Sequence, residues 1–181
     1  FNYVVIRNGT FGLSVDSLGS PSAPMLALSN SVIGNMTSDG IFAYGTSITA
    51  VNCLIADCGG SAIDITYGGS YDFRQVTIGN YWYSSVRHSP SVYLSNYTYD
   101  TNARKIPNTL SKCYFGNLIL YGSNDEEIGL DSVTSAGFTF TFDHAILKTL
   151  MKTTDTRRFI SCMVNKDPRF IDISKSDYAI D

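Results

Sequence analysis

The stretch Leu26-Ala-Leu-Ser-Asn-Ser-Val-Ile-Gly-Asn-Met-Thr-Ser-Asp-Gly-Ile-Phe42 is followed by Val51-Asn-Cys-Leu-Ile-Ala-Asp-Cys-Gly-Gly-Ser-Ala-Ile-Asp-Ile65, written in the same pattern. Superposing the two places Asn30 on Asn52, Ile33 on Ile55, Asn35 on Asp57 and Ile41 on Ile63, a constant shift of 22 residues (52 − 30). A unit of this length cannot bury its own apolar side, so repetition implies stacking on neighbours.

Carried backwards, the shift puts Asn8 under Asn30 and Ile6 under Leu28. Carried forwards, it puts Gln75 over Asn52 and Ile78 in the place of Ile33, a step of 23 (75 − 52). Within each unit the apolar residues alternate briefly, as in Phe73-x-x-Val76-x-Ile78, until Gly, Asn or Asp breaks the run. Helical spacing is not sustained anywhere, and short strands at this period describe a coil of parallel β-structure. The residue at a sharp bend between two such strands must tolerate left-handed φ, which Asn does better than other non-glycine residues. Asn8, Asn30, Asn52 and Gln75, then Asn117 and His144, are therefore read as a structural bend ladder. The longer spacings beyond Gln75 must leave the coil as loops, at about 97–108 and 123–136, with a smaller one at 16–24.

A chain of 181 residues with 44% hydrophobic content is within the range of one domain, taken as 1–181. The net charge of −3, without a Lys/Arg run, argues against a nucleic-acid partner. No apolar run reaches the ~18 residues of a transmembrane segment. Cys53, Cys58, Cys113 and Cys162 lack zinc spacing and read as core thiols ahead of disulfides. No metal or cofactor is expected.

Ile33-Gly-Asn and Asn52-Cys-Leu-Ile resemble the rung consensus of right-handed parallel β-helix repeat proteins. Val76-Thr-Ile-Gly-Asn-Tyr-Trp82, Ser89-Pro-Ser-Val-Tyr-Leu-Ser-Asn96, Asn117-Leu-Ile-Leu-Tyr-Gly-Ser123 and Phe142-Asp-His-Ala-Ile-Leu-Lys-Thr149 resemble the secreted or lipid-anchored members on the surface of gut anaerobic bacteria. Lys166-Asp-Pro-Arg-Phe-Ile-Asp172 followed by Asp177-Tyr-Ala-Ile-Asp181 is similar to that group's closing signature. The resemblance implies an all-β fold, a right-handed parallel β-helix (solenoid) with rungs of about 22 residues and inserted loops. It also implies an extracellular or cell-surface bacterial location, with signal or anchor outside this chain. Because the chain opens inside a strand, it reads as a fragment of a longer protein, and open ends of a coil favour end-to-end self-association.

Parallel β-helices also host polysaccharide lyases and hydrolases, although fold alone does not make a site. A polygalacturonase-like set is missing, since there is no adjacent Asp pair and neither His88 nor His144 lies between glycines. A lyase-like calcium cluster could draw on Asp57, Asp64 and Asp72 with Arg74 and Arg87 nearby. The aromatics Trp82, Tyr83, Tyr93, Tyr97 and Tyr99 gather where the period breaks, and ring faces of this kind stack on sugars. They are the candidate carbohydrate-binding residues, with no catalytic set. The expected function is a non-catalytic surface or secreted module for glycan binding or display, with polysaccharide as partner. A polysaccharide lyase or related enzyme and a structural spacer are the alternatives.

Overall fold

In the computed structural model, which describes residues 1–16 and 23–180, the chain is all-β apart from a single 3₁₀ turn at Ile173–Lys175. Most of the insertion expected at 16–24 lies outside the described residues, as does Asp181. Fourteen strands belong to one large sheet, and the pairings within it are parallel. The two long strands Ile41–Cys58 and Ile63–Asn80 lie side by side along almost their whole length. Each bends twice, so that three tracks of stacked strand can be followed through the sheet.

The first track stacks Val5–Gly9, Val32–Met36, residues 54–58 and 77–80, Ile119–Gly122, Ile146–Leu147 and Met163–Val164. The second stacks Leu13–Val15, residues 41–44 and 63–65, Val92–Ser95 and Ile128–Asp131. The third stacks Leu26–Ser29, residues 48–51, 71–74 and 113–116, Thr141–Asp143 and Phe159–Ile160.

Alternation along each strand turns one set of side chains inward, where equal positions meet in columns. Ile33 pairs with Ile55, Ile55 with Ile78, Ile78 with Leu120 and Leu120 with Leu147, all fully buried. Ser31, Cys53 and Val76 are buried beside them. On the third track Phe73, Phe115, Phe142 and Phe159 stack in order, with centroids 5.1, 4.8 and 5.7 Å apart and rings tilted by 10°, 8° and 10°. All four cysteines are free thiols, three of them buried.

The bend between the third and first tracks is made by one residue per repeat. Tyr3, Asn30, Asn52, Gln75, Asn117, His144 and Ser161 hold φ between 49° and 55° there. Asn30 Nδ2 donates to Asn2 Oδ1 (2.9 Å) and Asn52 Nδ2 to Asn30 Oδ1 (2.8 Å), forming an amide ladder. Asn8 needs correction: it also has left-handed φ (64°), but Ile6 pairs with Ile33, and Asn35 Nδ2 donates to Asn8 Oδ1 (2.6 Å). It belongs to a second bend, with Asn35 and Asp57. The first repeat is longer than 22 because Leu26 follows Leu13 by 13 positions, where Ile48 follows Ile41 by 7 on the same tracks.

The excursion at 97–108 carries an antiparallel hairpin, Tyr97–Tyr99 with Lys105–Pro107. The stretch 123–136 is not all loop. Ile128–Asp131 pairs in parallel with Val92–Ser95, because Ile128 and Leu130 continue the inward columns of Val92 and Leu94. Residues 81–91 form the other departure, anchored by a buried ion pair in which Arg87 Nη2 lies 2.5 Å from Glu127 Oε1. Glu127 Oε2 accepts from the Ser91 hydroxyl and N–H (2.6 and 3.0 Å), and Arg87 Nη1 donates to the Ser89 carbonyl (2.5 Å).

Ile55→Ala should cost about 2–5 kcal/mol in urea unfolding, whereas Val32→Ala, partly exposed on the outer side, should cost far less. Equal losses would show the inward register to be wrong. Arg87→Met strands the Glu127 carboxylate in the interior, and a loss of about 3–5 kcal/mol is expected in the same assay.

Candidate functional site

Alternation that sends Ile33 and Ile55 inward sends their neighbours on the first track outward. Gly34 and Ala56 are adjacent across two strands there and leave a shallow floor. Over it opens a cavity of about 200 Å³, bounded by Arg7, Asn8, Asn35, Asp57, Tyr83 and Ser176. Two neighbouring cavities continue it. One, of about 460 Å³, shares Asn8, Asn35 and Tyr83 and reaches Trp82; the other, of about 530 Å³, shares Val32, Leu54 and Ser176 and reaches Asn30, Asn52 and Gln75. Together they make a groove across the outer side of the first track, edged by the amides of both bends.

Each wall has a local cause. The departure at 81–91, held by Arg87 and Glu127, brings Trp82 and Tyr83 to one edge, their rings stacked at 6.2 Å. The Trp82 indole N–H donates to Ser85 Oγ (2.9 Å), while Tyr83 is 79% exposed. The other edge is the closing segment of the chain. Phe170–Asp172 and Asp177–Ile180 form an antiparallel pair, and Tyr178 lies on Gly79, where a side chain would leave no room for the ring. Tyr178 Oη donates to Asp57 Oδ1 and the Ser176 hydroxyl to Asp57 Oδ2 (2.6 Å), so both carboxylate oxygens are occupied. The anionic neighbour, with burial ahead of it, pushes the Tyr178 phenol well up.

The five aromatics singled out in the sequence fall into two groups. Trp82 and Tyr83 edge the groove on the first track. Tyr93, Tyr97 and Tyr99 lie on and beyond the second track, where Tyr97 and Tyr93 both donate to Asp131 Oδ2 (2.5 and 3.3 Å). Tyr97 presents no free ring face. It is 6% exposed, with the Lys105 ammonium 3.9 Å from its ring centre and Tyr99 edge-on at 5.4 Å. Tyr99 remains exposed. The residues that sequence reasoning passed over as groove lining are Arg7, Asn35, Tyr83's neighbour Ser84 and Ser176. Asn35 was visible only as the repeat partner of Asp57, and Asp57 as that partner and as a candidate calcium ligand.

The carboxylates considered for a calcium site are dispersed. Asp57 is at the second bend, Asp64 is on the second track beside Phe42 and Tyr93, and Asp72 is on the third, bonded to Arg74 (2.7 Å) and Lys112 (2.5 Å). Arg87 is committed to Glu127. His88 is exposed, and His144 is a bend residue bonded to Asp143 (2.6 Å). Among the described residues no three His, Cys, Asp or Glu side chains stand close enough to hold a metal ion.

Asp64 is a carboxyl displaced toward its neutral form. Burial pushes it up to about 6, with the Asp39 charge adding to the rise and the Thr66 hydroxyl (2.8 Å) opposing it. No family model, no curated protein and no solved structure matches the chain, and among the described residues no helix is long and apolar enough to cross a membrane.

The unfolded carboxyl titrates near 3.9, below the folded value, so ionising Asp64 works against the fold. Its effect is absent below about pH 4, grows as pH rises through about 6 and is constant above. Asp64→Asn, permanently neutral, should raise stability at about pH 7 by on the order of 1–2 kcal/mol and leave it unchanged at about pH 4. Urea midpoints at the two pH values check this, and a variant no more stable at the higher one would show that the carboxyl is well solvated.

Proposed function

We propose that the chain is a segment of a right-handed parallel β-helix that binds glycans without catalysis, through the groove on the outer side of the first track. The coil is supported by the register, in which equal positions pair at intervals of 22 or 23 residues through the centre of the chain. The right hand follows from the strong general preference of parallel crossovers. An exported or surface-displayed bacterial protein is proposed with it, on the sequence resemblance. A low content of charged residues (16%) beside plentiful Asn, Ser, Thr and Tyr suits such a surface.

The observation that carries the glycan reading is the composition of the groove. Amides of Asn8, Asn35, Asn30, Asn52 and Gln75 offer donors and acceptors at once, and the exposed Tyr83 ring stands at their edge. Sugars ask for this combination, because each hydroxyl both donates and accepts and the ring C–H surface stacks on aromatics. A polysaccharide-active enzyme is the second reading. It draws on Asp64, whose carboxyl titrates near neutrality on the same strand face that meets Tyr93.

Titration calorimetry against a panel of plant and mucosal polysaccharides is expected to find a bound member, with affinity falling about tenfold in Tyr83→Ala. Tyr97→Ala should change binding little once its stability is matched. Affinity that survives loss of Tyr83 would sink this site, and new reducing ends in the binding mixture would favour the enzyme.

A further inference from the structure

The groove segregates its charges: Asp177 lines the cavity of about 530 Å³, which Arg7 does not reach, and the central cavity holds Asp57 and Arg7. Asp57 is the carboxylate lining its central cavity, and its two oxygens already accept the hydroxyls of Tyr178 and Ser176. Arg7 lines the same cavity from the opposite end of the floor, where it pairs in register with Gly34 and makes no ion pair among the described residues. Other cations on the sheet are engaged: Arg74 and Lys112 on Asp72, Arg87 on Glu127 and Lys148 on the Gly122 carbonyl (2.8 Å). A guanidinium presents a planar fork of donors that an anionic oxygen pair satisfies and a neutral hydroxyl does not.

The distance between these groups is set by the strands. Arg7, Gly34 and Ala56 occupy successive places across the first track, and neighbouring strands are about 4.8 Å apart. One step beyond Ala56 lies Gly79, covered by the phenol of Tyr178. At this edge of the groove a six-membered ring is thus already seated against a glycine, with its hydroxyl on Asp57. A second ring over Gly34 and Ala56 would have Asn8 and Asn35 amides at its edge, Tyr83 at its side and Arg7 at its far end.

We infer that the groove selects acidic glycans, with Arg7 receiving the carboxylate or sulfate of a sugar ring seated over Gly34 and Ala56. The inference rests on the glycan reading and adds the class of sugar and the residue that selects it. The anion and the neutral hydroxyls are read by different groups, so they separate in experiment. Arg7 governs charge preference and salt dependence, while Tyr83 and the amides govern binding of any sugar.

The experiment uses a uronic-acid polymer, the same polymer after reduction of its carboxyls to neutral sugar, and a sulfated polymer with its desulfated counterpart. Affinities are measured for the intact chain, Arg7→Gln and Arg7→Lys, after thermal melts show equal folding. The intact chain should bind at least one acidic polymer about tenfold more tightly than its neutral form, with the advantage shrinking as salt rises. Arg7→Gln should bind acidic and neutral forms alike at the neutral level, and Arg7→Lys should keep part of the preference. Which acidic polymer is preferred tells carboxylate from sulfate. Equal binding of acidic and neutral forms by the intact chain overturns the inference and leaves the glycan reading standing, as does a preference that persists in Arg7→Gln. Binding of none of the four polymers overturns the inference, and the glycan reading falls with it only where the plant and mucosal panel is also unbound.

Discussion

The architecture depends on a backbone constraint: at one place in every repeat the chain must turn sharply through a single residue with positive φ. Among the described residues seven meet that demand between the third and first tracks, from Tyr3 to Ser161, and three of them are Asn. Left-handed φ is uncommon outside glycine, and a β-carbon there is strained unless the surroundings support it. Support comes from the stack itself. Each bend is bounded by strands paired on both sides through much of the sheet, and the bend amides bond along the stack, Asn52 to Asn30 and Asn30 to Asn2 beside the Tyr3 bend. Because the turn is so short, register is preserved from repeat to repeat, and the isoleucine and phenylalanine columns follow from that register.

Much of this was legible because the bend and the column leave a joint signature, Asn followed three residues later by Ile, in Asn30–Ile33 and Asn52–Ile55. Gln75 and His144 were recoverable from position, not from type. The same logic misled at Asn8. Both bends of the first track accept Asn, so a backward count of 22 finds a plausible residue although the repeat is longer; only the pairing of Ile6 with Ile33 decides between them. The strand at Ile128–Asp131 was hidden for a related reason. Its four residues follow the acidic run 125–127, and what makes them a strand is the presence of Val92 and Leu94 across the pair.

The groove was less legible because its parts are far apart in the chain. Tyr83 reaches it through a departure anchored by Glu127, forty residues on from Arg87. Ser176 and Tyr178 reach Asp57 across about 120 residues, a contact no local pattern announces. Tyr97 shows the converse. Sequence clustering made it resemble Tyr83, but Lys105 folds over its ring through a short hairpin and Asp131 takes its hydroxyl. Aromatic type was readable, whereas availability of a ring face is a tertiary property.

The charged groups follow a different rule from the columns. Carboxylates in or near the sheet are answered by specific partners: Asp57 by two hydroxyls, Asp131 by two phenols, Asp72 by two cations and Glu127 by one buried guanidinium. Such matching is expected where desolvation makes an unanswered charge costly, and the Glu127 pair, with no exposure on either side chain, is the extreme case. Asp64 departs from the rule. With one Thr66 hydroxyl and two aromatic neighbours in register, it is answered by a shift toward its neutral form. In the groove this leaves amides, hydroxyls, the Tyr83 ring face and the Arg7 guanidinium, unpaired among the described residues. The repetition that builds the core therefore also spaces those groups along the groove, at the interval of one strand.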